Sequence, residues 1–334
     1  MKRLMRGVAL AAGAAAVAVG VRSYLGKRRA IAMVPEELRH PVLYAPFQIT
    51  SRLVVRALAR VPVRPGPVAP GVTLDQRDLP PEVFVYQPKA RALPSGALLY
   101  IHGGGYVIGH PSTYHPICSR IAAELGVLVV SVNYRKAVGD PFPAGLDDCF
   151  RALTWIHEQA SALGIDPARI AVAGDSAGGG LAAALAQMAY DRDVPLCFQG
   201  LIYPMLDDRT ALRDDHLGTG ELVWTPASNR FGWTSYLGHR PGEAEPRAYA
   251  VPARRDDLTG LAPAWIGVGD LDLFHAEDVE YAGRLTLAGV PTDLVVVPGM
   301  YHGADAFLAD RAESMIAFRD DFIAALRKAI ASRP

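Results

Sequence analysis

One serine in this sequence stands where a reactive hydroxyl is expected: Ser176, in the run GDSAG. Gly174 and Gly178 lie two residues to either side of it, and glycines at these positions let the chain turn sharply with the serine at the apex. An apolar run precedes the turn and an alanine-rich run follows it, which predicts a strand, the turn and then a helix. The first N–H groups of such a helix point at the serine and stabilise negative charge, so the pattern indicates a nucleophile elbow.

A serine hydroxyl is a weak nucleophile that needs a general base and an acid that orients the base. His302 is the candidate base, because it follows a predicted strand more directly than any other histidine C-terminal to Ser176. Asp270 and Asp272 follow the preceding predicted strand; we prefer Asp272 as the acid and keep Asp270 as the alternative, with Asp207 a more distant third. The chain order Ser, Asp, His is the order expected of a site built on this elbow.

Three glycines follow His102 at the end of another predicted strand, in the run HGGGY. A backbone without Cβ atoms approaches a substrate oxygen closely, so the N–H groups of Gly103, Gly104 and Ala177 are the predicted donors to an oxyanion. A glycine-rich run of this kind can instead hold a phosphate, but the lysine and the turn of a nucleotide-binding loop do not accompany it here. His102 is expected to support the loop. No cofactor and no metal ion is predicted.

The elements that must position these residues alternate along the chain. Short apolar runs predict strands, and stretches with helical spacing separate them; one of these is expected to form a single helix that ends at Gly164. Crossover connections of this length predict an α/β fold, with a mostly parallel central sheet covered by helices on both faces. Residues 82–88 are expected to form an antiparallel strand at the sheet edge. The other predicted strands are residues 97–103, 127–135, 169–174, 197–204, 263–269 and 292–299.

Residues 205–261 interrupt this alternation, because they contain no strand signal and carry charges, prolines and aromatic side chains. A structureless loop of this length is uncommon in a compact domain, so we expect a helical cap, which residues 31–61 join. Residues 31–334 would then form one domain that includes both cap segments. Aromatic residues of the cap are candidates for lining a pocket, although they also serve simply to pack a cap: Trp224, Trp233 and Tyr236.

Together with HGGG and GDSAG, the runs DPFPAGLDD, GDLDLFHAED and PGMYHG resemble the hormone-sensitive-lipase-like family of α/β-hydrolase esterases and lipases. The resemblance extends from residue 98 to the C-terminus, and it implies the α/β-hydrolase fold with a helical cap. One loop differs, because this chain has YRKAVGD where the family has YRLAPE. The resemblance implies these roles: Ser176 as the nucleophile, His302 as the base, Asp272 as the acid, and Gly103, Gly104 and Ala177 as the oxyanion hole.

The expected reaction is hydrolysis of a carboxylic ester with a short- to medium-chain acyl group, through an acyl-enzyme on Ser176. An amidase or deacetylase with the same triad is the main alternative, because the cap and pocket select the leaving group. A non-catalytic binding protein is a further alternative, since the family also contains plant hormone receptors that have lost the base, whereas this chain retains His302. The expected partner is a small-molecule ester, and the oligomeric state is left open.

Composition excludes other classes of function. The chain has 334 residues with 34 basic and 34 acidic side chains, so its formal net charge is zero. Nucleic-acid binding requires a basic surface that neutralises phosphates, and it is therefore not expected. The cysteines form no CxxC pair and are expected to be buried apolar side chains rather than a disulfide framework or a zinc site: Cys118, Cys149 and Cys197.

Residues 1–30 differ from the rest of the chain. Residues 7–21 carry no charge and have basic residues on both sides. As a helix with a rise of about 1.5 Å per residue they fall short of the ~30 Å hydrocarbon core, which an extension to residue 25 would nearly span. A signal-anchor is favoured over a cleaved signal peptide or a helix that packs on the protein. The expected location is at a membrane, with cytoplasmic or secreted protein as alternatives.

Overall fold

Eight strands form one sheet, in the order β1-β2-β4-β3-β5-β6-β7-β8. In this computed structural model the described residues are 27–45, 48–214, 216 and 218–331, so the predicted membrane segment at residues 7–21 lies outside them. The pairs β1–β2 and β2–β4 are antiparallel and the other pairs are parallel, which confirms the predicted fold class. The strands are β1 (Val72–Arg77), β2 (Val83–Pro88), β3 (Ser95–Ile101), β4 (Leu128–Val132), β5 (Ile165–Asp175), β6 (Phe198–Ile202), β7 (Ala264–Gly269) and β8 (Thr292–Val297).

The central strands form because both faces of the sheet bury their side chains. All residues of β3, β4, β6 and β7 are buried, as expected for parallel strands that helices cover on both sides. In β3, Leu99 and Ile101 pack into one apolar cluster, whereas Leu98 and Tyr100 pack into another. Successive side chains thus point into two cores, one on each face of the sheet. Because β4, β3, β5, β6, β7 and β8 are parallel, their carboxyl ends lie at the same edge of the sheet, where the predicted reactive residues follow.

One edge of the sheet differs from the prediction. Residues 82–88 contain the antiparallel strand β2, but this strand is internal, because β1 pairs along its outer side from Val72 opposite Pro88 to Arg77 opposite Val83. The central residues of β1 are exposed on both faces of the sheet. Its sequence, VTLDQR, alternates apolar and polar residues over the first four positions only, and the sequence analysis did not include this strand.

The helices follow the predicted alternation with one break. The stretch that ends at Gly164 forms two helices that meet at Gln159, and Gly164 closes the second with a φ of 64°. The described helices are residues 27–33, α1 (Arg52–Leu58), α2 (His115–Leu125), α3 (Ala144–Glu158), α4 (Ala160–Leu163), α5 (Ala177–Asp191), α6 (Pro226–Leu237), α7 (His275–Leu287), α8 (Ala304–Leu308) and α9 (Glu313–Ala331). Among the described residues, no helix has the length and hydropathy needed to cross a bilayer.

The two predicted cap segments consist of short helices and turns. Within residues 205–261 the described part contains no strand, and its elements are α6 and two 3-10 helices. The backbone N–H of Ile49, in the N-terminal segment, donates to Oγ of Ser228, in α6, at 3.0 Å. A hydrogen bond thus joins the two segments. The 3-10 helices of the N-terminal segment are Glu36–Leu38 and Pro41–Tyr44, and those of the later segment are Asp208–Leu212 and Pro252–Arg254.

Candidate active site

Ser176 lies at the junction of β5 and α5 in a backbone conformation that few serines adopt. Its φ of 54° and ψ of −123° fall outside the regions common for residues with a Cβ atom, at a cost of about 1–3 kcal/mol. A Cβ atom on Gly174 would lie 2.4 Å from the carbonyl oxygen of Gly178, and one on Gly178 would lie 2.1 Å from that of Ile101. Only glycine fits at either position, so the sequence of the turn determines its shape and places Ser176 at its apex.

Side chains from three loops meet at this turn. Nε2 of His302 lies 2.9 Å from Oγ of Ser176, and Nδ1 lies 2.8 Å from Oδ2 of Asp272. The residues are 5% (Ser176), 6% (His302) and 0% (Asp272) exposed. Oδ1 of Asp272 accepts a hydrogen bond from the backbone N–H of Phe274 at 3.0 Å, which fixes the carboxylate. In this geometry Asp272 can accept a hydrogen bond from a protonated Nδ1, and Nε2 is then free to accept the serine proton.

The two alternative acids have other partners. Oδ1 of Asp270 accepts a hydrogen bond from the backbone N–H of Gly299 at 2.6 Å, which ties the loop after β7 to the loop after β8. Asp207 pairs with the guanidinium of Arg209 at 2.7 Å. Of the three carboxylates considered from the sequence, Asp272 is therefore the one that contacts the histidine, and Asp270 instead holds the loop that leads to it.

Aromatic rings surround the imidazole of His302. Tyr203 and Phe274 meet it edge-on, with ring centroids 4.9 Å and 5.2 Å away. The ring of Trp224 lies further out, with a centroid distance of 6.2 Å. Rings packed in this way hold the imidazole in one orientation and keep water from it, which strengthens its interactions with the carboxylate and the hydroxyl.

The glycine loop after β3 uses its first amide for its own support. The N–H of Gly103 donates to Oη of Tyr114 at 3.1 Å, so this predicted donor already has a partner. Within the described part of the chain, the N–H groups of Gly104 and Gly105 have no hydrogen-bond acceptor. Ala177 is the first residue of α5, where an N–H group has no acceptor within the helix. The available donors are thus at Gly104, Gly105 and Ala177, and the sequence analysis did not include Gly105.

Tyr114 also links this loop to the elbow. Its Oη donates to Oδ2 of Asp175 at 2.8 Å, and Oη of Tyr100 lies 3.3 Å from Oδ1. Burial raises the pKa of Asp175 to about 6, although the hydrogen bond from Tyr114 acts to lower it. Because Asp175 directly precedes Ser176, the two side chains connect the backbone of the glycine loop to the nucleophile turn. The motif GDSAG contains Asp175 and could have indicated it, whereas no motif points to Tyr114.

A further buried carboxylate joins the start of residues 205–261 to the helix after Asp272. Oε1 of Glu277, in the first turn of α7, accepts hydrogen bonds from the backbone N–H groups of Leu206 at 2.7 Å and Asp207 at 3.1 Å. Burial raises the pKa of Glu277 well above its ordinary value. Glu277 therefore ties the start of α7 to the first residues of the later predicted cap segment. Separately, across the described residues, His, Cys, Asp and Glu side chains form no cluster that could hold a metal ion.

Comparison with known proteins adds relatives of assigned activity. A family model described as "alpha/beta hydrolase fold" matches residues 98–306, which is more than half of the chain. Carboxylesterase NlhH of Mycobacterium tuberculosis is 38% identical over 267 residues, which cover 75% of this chain and 81% of that protein. The ethyl acetate hydrolase of Pseudomonas putida is 37% identical over 233 residues, 69% of this chain and 72% of that protein. The solved structure of a bacterial heroin esterase superposes with a TM-score of 0.79 at 33% identity, over 90% of this chain and 99% of that one.

Proposed function

The chain belongs to the hormone-sensitive-lipase-like family of α/β hydrolases and is an ester-cleaving hydrolase, and we propose that Ser176 is the nucleophile that attacks the ester carbonyl. The observation that carries the proposal is the pair of contacts of His302, which lies 2.9 Å from Ser176 Oγ and 2.8 Å from Asp272 Oδ2. This arrangement joins a nucleophile, a base and an orienting acid in one line of hydrogen bonds.

The first half of the reaction forms an acyl-enzyme. Oγ of Ser176 bonds to the carbonyl carbon of the ester while Nε2 of His302 takes its proton, and Asp272 stabilises the imidazolium. The carbonyl oxygen becomes an oxyanion that accepts hydrogen bonds from the amides of Gly104, Gly105 and Ala177. The bond between the carbonyl carbon and the alcohol oxygen then breaks, and His302 gives its proton to the departing alcohol.

The second half releases the acid. A water molecule loses a proton to His302 and attacks the acyl carbon, and the oxyanion again rests on the three amides. The ester bond to Ser176 breaks, and His302 returns the proton to Oγ. The substrate is a small-molecule ester, and we propose a short- to medium-chain acyl group, since relatives of this chain include proteins named ethyl acetate hydrolase and heroin esterase.

The proposal also includes association with a membrane through residues 7–25. Its support is the sequence: residues 7–21 carry no charge, and basic residues lie on both sides of them. The first described residue, Lys27, already contacts the folded domain, because its Nζ donates to the carbonyl oxygen of Ala45 at 3.1 Å. An anchor that ends before residue 27 would therefore hold the enzyme close to the bilayer surface.

Replacement of the nucleophile tests the mechanism. Ser176→Ala should lower kcat for p-nitrophenyl acetate by roughly 10³-fold or more with folding intact, because the remaining groups cannot form the acyl-enzyme. Ser161→Ala, at an exposed serine of α4, is the control and should leave kcat unchanged. A fluorophosphonate probe should label the parent chain and the control but not the Ser176 variant. A folded Ser176→Ala protein with near-normal turnover would exclude the proposed nucleophile.

A further inference from the structure

The indole of Trp224 lies close to both the glycine loop and the proposed base. A Cβ atom placed on Gly105 would lie only 2.1 Å from Cη2 of this ring, so the ring packs directly against the glycine loop. The ring centroid also lies 6.2 Å from that of His302. Trp224 thus extends from a proposed oxyanion donor to the proposed base. Any group attached to a carbonyl carbon held between these two must pass close to the indole.

Several interactions hold the indole in this position. Nε1 of Trp224 donates to Oδ1 of Asn229, a fully buried residue of α6, at 3.3 Å. The backbone N–H of Trp224 donates to the carbonyl oxygen of Leu222 at 2.7 Å, which closes a three-residue turn around Val223. Val223 has a φ of 61°, which is unfavourable for a β-branched residue by about 1–3 kcal/mol. Such strain persists only where the surrounding structure enforces it, so the position of the indole is closely determined.

The segment that carries Trp224 also lines a cavity. Residues 218–221, with Thr225 and Pro226, border a volume of about 460 Å³, and Lys27 and Gln48 of the N-terminal cap segment border it as well. The lining is largely polar or charged. Ser176 and His302 are by contrast only 5% and 6% exposed. The segment therefore borders an open volume between the predicted cap segments, and its Trp224, which is itself buried, packs beside the reacting groups.

We propose that Trp224 is a specificity-determining residue whose indole limits the size of the ester accepted at Ser176. The indole forms a wall of the site, so a small acyl or alcohol group fits beside it and a larger group collides with it. This inference rests on the proposed function, and it assigns the selection of substrate size to one side chain of the cap.

The other candidate aromatics of the cap have different surroundings. The ring of Trp233 lies 5.4 Å from that of Tyr106 and 5.9 Å from that of Tyr236, and the rings of Tyr106 and Tyr236 stack at 4.0 Å. Trp233 is fully buried, and its Nε1 has no hydrogen-bond partner among the described residues. A phenylalanine in its place removes no hydrogen bond, which makes Trp233→Phe a matched control for a change at Trp224.

The test compares substrates of different size on the same variant. For Trp224→Ala, the ratio of kcat/KM for p-nitrophenyl octanoate to that for p-nitrophenyl acetate should rise about tenfold or more. Contacts in a pocket typically discriminate between substrates of different size by a factor of this order. Trp224→Phe should give a smaller rise, of about threefold, in the same direction. Trp233→Phe should leave the ratio at the parent value. A second series, acetate esters of alcohols of increasing size, reports the same effect on the leaving-group side.

A ratio within a variant is insensitive to partial loss of folded protein. If Trp224→Ala and Trp224→Phe change kcat/KM by the same factor for all members of both series, the indole does not limit substrate size and the inference is wrong. Should the alanine variant fail to fold, the phenylalanine variant decides alone. Loss of acetate hydrolysis in Ser176→Ala, measured in the same assays, shows that the proposed function stands even where the inference about Trp224 fails.

Discussion

The loops at the carboxyl ends of the strands and the cap segments are held in different ways. The loops depend on close backbone approaches, as where a Cβ atom on Gly178 would lie 2.1 Å from the carbonyl oxygen of Ile101. The predicted cap is held by side chains, both the buried apolar ones and polar ones: the guanidinium of Arg254 lies 2.8 Å from the buried carboxylate of Asp208, and Glu277 accepts a hydrogen bond from the N–H of Leu206 at 2.7 Å. Close backbone approaches thus fix the loops, whereas contacts between side chains hold the predicted cap segments. Substitutions in the loops should change whether the chemistry occurs, and substitutions in the cap should change which ester undergoes it.

The two acids after β7 give the largest expected effect within the loops. Asp272→Asn should lower kcat by about 10³- to 10⁴-fold, because an amide cannot hold Nδ1 of His302 in the required tautomer and cannot stabilise the imidazolium. Asp270→Asn should change kcat by less than about threefold, since an amide oxygen can still accept the N–H of Gly299. Steady-state kinetics on p-nitrophenyl acetate measures both.

Asp270→Asn and Asp272→Asn each replace one carboxylate by an amide at positions two residues apart. A difference between the two variants therefore reports the position of the acid in the loop and not the loss of a charge. A crippled Asp270→Asn with an active Asp272→Asn would mean that the loop after β7 is displaced by two residues relative to the structure. Loss of activity in both variants, with Asp270→Asn also less stable to heat, would instead assign Asp270 a structural role larger than a single hydrogen bond.

Much of the sheet could be predicted, because its strands are short runs of buried apolar residues. Residues 263–269 were expected as a strand, and β7 is Ala264–Gly269. The elbow followed from Gly174 and Gly178, since the positions of glycines report where a side chain cannot fit. β1 was not predictable in this way, because its side chains are mostly exposed and its pairing depends on β2 rather than on its own sequence.

The oxyanion donors illustrate a different limit. Gly103 and Gly104 were expected to donate, but the N–H of Gly103 is bound by Tyr114, which lies 11 residues further along the chain. Three successive glycines look alike in a sequence. Which of their amides remains available depends on where the tyrosine hydroxyl lies, and the folded chain alone determines that position. The same holds for Trp224 and Trp233, two indoles of one cap that face different neighbours.

Tyr114 should give the next largest effect. Tyr114→Phe removes the hydroxyl that joins the Gly103 amide to Asp175, so the glycine loop loses its alignment and kcat should fall about tenfold. Tyr301→Phe is the control, because Tyr301 is buried next to His302 in sequence and its hydroxyl has no hydrogen-bond partner among the described residues. It should leave kcat unchanged, and equal losses in both variants would mean that any buried tyrosine here acts through packing.

The pH dependence of stability sharpens this prediction. Asp175 has a pKa raised to about 6, so its contribution favours the folded state at low pH and is lost as the pH rises through that value. The hydroxyl of Tyr114 stabilises the ionised carboxylate, and its removal should raise the pKa further. Tyr114→Phe should therefore lower the free energy of unfolding more at about pH 8 than at about pH 5. At the lower pH the carboxyl of Asp175 is mostly protonated in the folded state of both the parent and the variant. Urea unfolding at the two pH values measures the difference, and an equal loss at both would separate Tyr114 from the ionisation of Asp175.

Removal of the N-terminal tail should have the smallest effect on catalysis. It tests whether residues outside the loops take part in the chemistry. A chain that begins at Lys27 keeps the hydrogen bond from Lys27 to Ala45 and the buried side chains of Ala30 and Ile31, so its kcat should stay within about twofold of the full-length value. The full-length protein should fractionate partly with membranes, and the shortened chain should not. A chain that begins at residue 36 is the contrasting variant, because it also loses Val34 and should be less stable by about 1.5–3 kcal/mol for each large apolar side chain removed from the core. If the chain from Lys27 fractionates as the full-length protein does, the tail is no anchor; if it loses activity, residues before 27 belong to the enzyme domain and the covering segments take part in the chemistry.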